Sequence, residues 1–282
     1  MAQPSQHQEH QPGDEHEMHP HPQSFMKNYK AAGKLNGKTA LISGGDSGIG
    51  RAVSIGYAME GADVAFIYLD EDKDAKITQD HIEKAGGKAL LIKGDIGRKS
   101  FCDDAVKQVI DRFGKLDILV NNAAEQHVEE NFEDIAEAQI RRTFDTNIFG
   151  MMFLTQAALP QIKKNAGCII NTASIVAYRG HDQLMDYATT KGAVLGFTRS
   201  LANNLAKTAV RVNAVAPGPI WTPLIPASFR AEDVKKFGES SPMGRPGQPD
   251  EVAPAYIFLA SQDASYITGQ TIHPNGGAIV GG

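Results

Sequence analysis

Thr39-Ala40-Leu41-Ile42-Ser43-Gly44-Gly45-Asp46-Ser47-Gly48-Ile49-Gly50-Arg51-Ala52-Val53 is the stretch whose reading decides the fold. It opens as a short apolar run suited to a strand, turns through glycines and passes directly into a segment of helical period. That order is what a dinucleotide site requires. Gly44 permits a tight turn, Gly48 lets backbone approach a pyrophosphate, and Gly50 lets helix pack closely on strand. The helix N-terminus adds amide hydrogens and the positive end of its dipole, and Asp46, Ser47 and Ile49 lie in the same loop.

Working outward, short β-branched runs alternate with longer segments of helical spacing. Strands are expected at 38–43, 63–68, 88–93, 116–120, 168–172, 211–215 and 270–273, and helices at 50–60, 75–85, 101–113, 138–162, 185–206 and 250–259. The strands are nearly continuous in apolar character, as strands buried on both faces must be. The pattern predicts an α/β, doubly wound, Rossmann-type fold: a parallel seven-stranded sheet with helices on both faces, in one domain over 35–282. In such a sheet the ligand crevice lies beyond the carboxyl ends of the strands, where strand order reverses.

Before residue 35 the composition is different. Residues 1–34 are rich in Gln, His, Glu and Pro and carry five of the nine histidines, so a disordered polar tail is expected. Clustered His beside Glu9, Glu15 and Glu17 invites a transition metal, but the bland reading of a solvated arm is preferred and no metal site is assigned. The start lacks the basic and apolar regions of a signal peptide, and no apolar run is long enough to span a membrane. A net charge of -5 argues against bulk nucleic-acid affinity. Cys102 and Cys168 lack metal-site spacing and suit a reducing compartment, so a cytoplasmic location is expected.

The end of the second strand should choose the dinucleotide. An acidic residue there would accept from the ribose hydroxyls of NAD, and a cation would hold the 2′-phosphate of NADP. The segment is Ile67-Tyr68-Leu69-Asp70-Glu71-Asp72: Tyr68 takes the acidic position, no Arg or Lys is present, and three carboxylates crowd the site. Repulsion of a phosphate favours NAD, with NADP as the second choice.

Chemistry is sought after the fifth strand. Ser174 stands there, and Tyr187 and Lys191 are four apart, hence on one helix face. A tyrosine near pKa 10 moves protons poorly at neutral pH, and a nearby ammonium favours its phenolate. Tyr187 would then exchange a proton with an alcohol or carbonyl while hydride moves to or from nicotinamide, Ser174 would hold the substrate oxygen, and Asn147 would steady a water leading from Lys191 to solvent.

With these residues in hand, the sequence resembles the short-chain dehydrogenase/reductase family, in particular its glucose and ribitol dehydrogenase branch, across about 35–282. The markers are Gly44, Gly48 and Gly50; Asn121-Asn122-Ala123; Asn147; Ser174; Tyr187-x-x-x-Lys191; and Pro217-Gly218 with Thr222. The resemblance implies an NAD(P)-dependent oxidoreductase with Tyr187 as acid/base, Lys191 also on the nicotinamide ribose, Ser174 orienting substrate and Asn147 in a proton relay. It places Asp95 and Ile96 by the adenine, and Ile220 and Thr222 by the carboxamide. Asn122, Ala123, Ala124, Pro217 and Gly218 join Tyr68 and Leu69 as cofactor contacts. Three positions depart from the pattern: Ala124 in place of a glycine, Ser43 in place of Thr, and Tyr68. The family also implies a homotetramer built on the last helix and last strand.

The substrate is expected to be a small alcohol or carbonyl compound. The long segment after Pro217 reads as a lid whose apolar wall is Trp221, Leu224 and Ile225, with a helix near 232–237, while Gln126, His181 and Gln183 supply polar contacts. Ile279 and Val280, in the glycine-rich ending 275–282, are expected to pack on a neighbouring subunit. The alternative, a dinucleotide-binding sensor with little turnover, predicts a broken catalytic set, and this one is whole.

Overall fold

Ala40 and Ile42 turn to one face of their strand and Leu41 to the other, and each is fully buried. The two faces therefore need separate helical covers. In the computed structural model, which describes residues 3–280, the strands β1 (Thr39–Ser43), β2 (Asp63–Tyr68), β3 (Ala89–Lys93), β4 (Ile118–Asn121), β5 (Cys168–Thr172), β6 (Arg211–Val215) and β7 (Thr271–Ile272) form one sheet. Its order is β3-β2-β1-β4-β5-β6-β7, and every pairing is parallel. Strand order reverses between β1 and β4, which opens the expected crevice there.

Helices α1 (Gly48–Met59), α2 (Asp72–Lys84) and, from the far end of the chain, α9 (Pro249–Ala260) cover the face of Ala40 and Ile42. Helices α3 (Lys99–Phe113), α5 (Met151–Lys164) and α7 (Met185–Leu205) cover the face of Leu41. Between them lie α4 (Glu137–Phe144) and the short α6 (Val176–Arg179) and α8 (Ala231–Val234). The single helix expected over 138–162 is three pieces: α4, a wide π turn at Asp145–Gly150, and α5. Such turns concentrate at functional sites, and this one carries Asn147. Cys102 and Cys168 are both free and buried.

The expectation of a disordered arm is corrected for the described residues 3–34; Met1 and Ala2, like Gly281 and Gly282, lie outside them. The arm has little regular structure beyond a single turn at Glu15–Glu17, yet it is fixed to the domain. Met18 packs with Trp221, Ile225 and Val234, and Met26 enters the main core. The average polarity of the tail concealed these anchors. At the other end, Ile279 is 96% exposed, while Val280 packs partly against Tyr187 and its neighbours.

Candidate active site

The loops after β1 and β4 are tied together at the reversal of strand order. Ser43 Oγ accepts from the amides of Asn122 (3.0 Å) and Ala123 (3.1 Å), so the Ser in place of Thr keeps the hydroxyl's task. Asn122 Nδ2 donates back to the carbonyls of Ser43 and Gly44. Gly44 adopts φ +63°, where a side chain is strained, and a Cβ on Gly50 would lie 1.7 Å from the Gly44 carbonyl oxygen. Gly50 therefore acts beneath the loop as a packing residue and does not face the crevice. The other loop residues, Gly44, Asp46, Ser47, Gly48 and Ile49, line a cleft of about 440 Å³, within the range of small-molecule sites.

At one end of the cleft stand Tyr68, Leu69, Asp95 and Ile96, together with Glu71, which sequence reasoning did not single out. Asp46 and Glu71 form a buried pair of carboxyls, each pushed up from the usual carboxylate range chiefly by burial. Glu71 Oε1 is buried without a hydrogen-bond partner. Cations nearby are already engaged. Lys93, in register with Tyr68, is held by Asp72 at 2.6 Å, and Arg51 is bound by Glu15 and Asp74. Asp95 is desolvated, but Arg142 and the Gly97 amide more than offset this and hold its carboxyl below the usual range.

At the other end, β5 and the N-terminal half of α7 bring Ser174, Tyr187 and Lys191 to the same cleft wall. Lys191 is buried, donates from Nζ to the Thr172 carbonyl (2.8 Å), and lies 5.4 Å from the centre of the Tyr187 ring. Burial sets both pKa values: Lys191 is lowered to about 7, and Tyr187 is raised to about 12, with Ser174 pulling against the rise. Burial thus outweighs the lowering expected from Lys191, whose amine is bonded to the Thr172 carbonyl.

Asn147 stands apart from the cleft wall. Its Nδ2 donates to the Glu125 carbonyl (2.9 Å) and Thr190 Oγ1 (3.1 Å), and its Oδ1 accepts from the Glu125 amide (2.9 Å). Both Nδ2 hydrogens are thus used, one on the segment after β4 and one on Thr190 of α7, while Oδ1, with two lone pairs, accepts a single bond.

Asn122, Ala123, Ala124, Pro217, Gly218, Ile220 and Thr222 all reach the cleft, as do Gln126, His181, Gln183, Leu224 and Ile225. Gln126 Nε2 is buried and unpartnered. Trp221 is a correction: it is not in the cleft wall. Its indole nitrogen donates to the Pro20 carbonyl (2.8 Å) and its ring packs on Met18, because a buried N–H needs an acceptor and the arm provides one. Sequence reasoning also missed Arg142, which bridges Asp95 (2.8 Å) and Glu125 (2.9 Å) at the cleft, and Pro12 and Gly13 of the arm, which line it. Charge partners this far apart in sequence carry no local signal.

A family model described as enoyl-(acyl carrier protein) reductase matches residues 44–278. The chain is 59% identical to the uncharacterized oxidoreductase YhxC of Bacillus subtilis over 279 residues, covering 99% of this chain and 97% of that one. It is 52% identical to the glucose and ribitol dehydrogenase of Daucus carota (99% and 98% covered) and 50% identical to the chloroplastic NADPH-dependent aldehyde reductase 1 of Arabidopsis thaliana (99% of each). Among solved structures, a 3-ketoacyl-(acyl-carrier-protein) reductase from Brucella melitensis complexed with NADH superposes with a TM-score of 0.80 at 37% identity, covering 86% of this chain and 98% of that one.

Proposed function

The chain belongs to the short-chain dehydrogenase/reductase family, and from that premise we propose that it moves a hydride between a nicotinamide dinucleotide and a secondary alcohol or its ketone, with Tyr187 as acid/base. The substrate class is a sugar, a polyol or a small carbonyl compound. The observation that carries this reading is the convergence of Ser174, Tyr187 and Lys191 on the cleft that the glycine loop also lines.

The residues present fit a dinucleotide. The glycine loop leaves backbone facing the cleft, and two orphaned buried atoms, Glu71 Oε1 and Gln126 Nε2, belong to residues of its wall. When bound, the cofactor supplies or receives the hydride. Ser174 donates to the substrate oxygen and fixes it beside Tyr187. A tyrosine held near 12 carries its proton at neutral pH, ready to protonate a carbonyl. Lys191, bonded to the Thr172 carbonyl, lies beside the Tyr187 ring, and Asn147 keeps the Glu125 segment in place.

NAD is the preferred cofactor. Asp46 and Glu71 place carboxyls suited to accept from ribose hydroxyls at this end of the cleft, while Lys93 is paired with Asp72 and Arg51 with Glu15 and Asp74. The NADPH-dependent relative favours NADP as the second reading. The protein works in the cytoplasm as a homotetramer, without nucleic-acid or membrane partners. The exposed Tyr266 and Ile279, near β7, support self-association, and light scattering that finds single chains would remove the tetramer. Among the described residues no helix is long and apolar enough to cross a membrane.

The test is calorimetric binding of NADH and NADPH to wild type and Tyr187→Phe, with turnover of sugars, polyols, aldehydes and ketones followed by absorbance. Binding to both proteins with turnover in wild type only supports the proposal. Binding without turnover of any substrate turns the reading to a dinucleotide sensor, and binding of neither nucleotide rejects both.

A further inference from the structure

The N-terminal arm touches three separate walls of the cleft. On the loop after β6, Ser5 Oγ donates to the Ala231 carbonyl, His7 Nδ1 meets the Phe229 carbonyl and the Gln8 amide donates to the Pro226 carbonyl, each at 2.9 Å. On the loop after β4, the Gln11 side chain pairs with both backbone groups of Gln126, donating at 2.6 Å and accepting at 3.2 Å. On the glycine loop, Glu15 Oε2 accepts from the Gly48 amide.

Glu15 is also the most heavily bonded residue of the arm. Its carboxylate receives Arg51 and the Ser24 hydroxyl, and its own amide donates to Asp74 at 2.7 Å, in an almost fully buried setting. Glu15 itself does not line the cleft, whereas Pro12 and Gly13 do. Gly13 lies flush on the opposite wall, since a Cβ there would come within 2.6 Å of the Pro223 carbonyl oxygen. The arm thus roofs the cleft without filling it.

We propose that residues 5–20 are a latched strap over the nucleotide cleft, with Glu15 as the latch, and that the strap is docked while nucleotide is bound and lifts for nucleotide to enter or leave. The proposal rests on the dinucleotide reading above. A segment bonded to opposing walls resists their separation, so a molecule beneath it leaves only when those bonds open. The bonds of Ser5, His7 and Gln11 are exposed or half-buried and the strap's own apolar anchor is Met18, so the strap outside its buried latch belongs to the parts of a fold that open locally. Glu15 is a positioning residue in this scheme, since it touches neither substrate nor cofactor.

Trp221 is the only tryptophan in the chain and is covered by Met18 and Pro20, so its fluorescence reports strap docking directly. The experiment uses full-length wild type, Glu15→Ala, Gly13→Val and the double variant, with far-UV circular dichroism as the folding control. Lifting the strap should red-shift Trp221 emission and expose it to acrylamide, and in the same variants NADH, or NADPH if that is what binds, should dissociate at least tenfold faster in stopped-flow displacement. In wild type, bound nucleotide should slow amide exchange over residues 8–18, a measurement that decides the matter even if the variants do not fold. A shifted Trp221 with unchanged dissociation, tighter nucleotide binding on release of the arm, or arm exchange indifferent to nucleotide would each overturn the strap. If wild type binds neither nucleotide, the dinucleotide reading fails and the strap with it; binding without the predicted coupling removes the strap alone.

Discussion

Lys191 should be a stability liability whose size depends on pH. Burial lowers its pKa from 10.5 to about 7. Because the folded value lies below the unfolded one, the unfolded chain holds the extra proton between the two, so stability rises as pH climbs from about 7 toward 10.5 and the penalty is complete below 7. At ~1.4 kcal/mol per pH unit the full penalty is ~5 kcal/mol, of which ~4 acts at pH 7 and ~2 at pH 9. Lys191→Met removes this penalty. It also loses the bond to the Thr172 carbonyl, at a cost of ~1–2 kcal/mol that does not vary with pH. The stability difference between variant and wild type should therefore shrink by ~2 kcal/mol from pH 7 to pH 9, or about 4 °C in Tm, whatever the packing of the Met. Tyr187, with its pKa near 12, stays protonated in the fold throughout that window and is common to both proteins. The assay is urea and thermal unfolding of nucleotide-free protein at both pH values. Parallel stability profiles would refute the desolvation argument for Lys191.

Gly50→Ala places a Cβ 1.7 Å from backbone and should cost more than the ~1–3 kcal/mol of ordinary overpacking, with nucleotide binding lost, whereas Gly192→Ala, in open space within α7, should stabilise by ~0.5–1 kcal/mol; chemical denaturation and calorimetry read both. Replacing the buried carboxyl pair (Asp46→Asn with Glu71→Gln) should move the NADP-to-NAD affinity ratio at least tenfold toward NADP, and an unchanged ratio in titration calorimetry would show that the pair does not face the ribose. Asn147→Ala breaks three hydrogen bonds and should cost ~2–3 kcal/mol in unfolding experiments, with turnover falling because the Glu125 segment shifts.

What was legible in the sequence was local. The strands and most helices follow from apolar period, the glycine loop from the order of strand, turn and helix, and the Tyr187–Lys191 pair from a spacing of four on one helix face. What was illegible depends on partners far away in the chain. Asn147 is legible as a marker position, but its bonds to Glu125 and Thr190 depend on how α4, the π turn and α7 meet. Trp221 lies in the expected lid segment and faces the arm because its indole finds Pro20, 201 positions earlier. Glu71 stands only three residues beyond Tyr68, yet its inward turn depends on where Asp46 and α2 lie.

Arg51 is the residue at which the docked arm was nearest to being readable. Helix α1 reads GIGRAVSIGYAM, uncharged apart from that one cation and mostly small or apolar, and a helix of such composition is buried on nearly every side. A buried guanidinium left without anions is costly, so the position itself demands carboxylates from elsewhere. Asp74 on α2 provides one at 2.8 Å, and Glu15 provides the other. Two carboxylates against one guanidinium leave excess negative charge, and the amide end of α1 absorbs part of it, since Glu15 Oε2 takes the Gly48 N–H while Oε1 takes Arg51. The same carboxylate thus satisfies a helix end and a buried cation at once. Composition averaged over the tail could not reveal that, because the outcome turns on a single Glu whose partners belong to the domain.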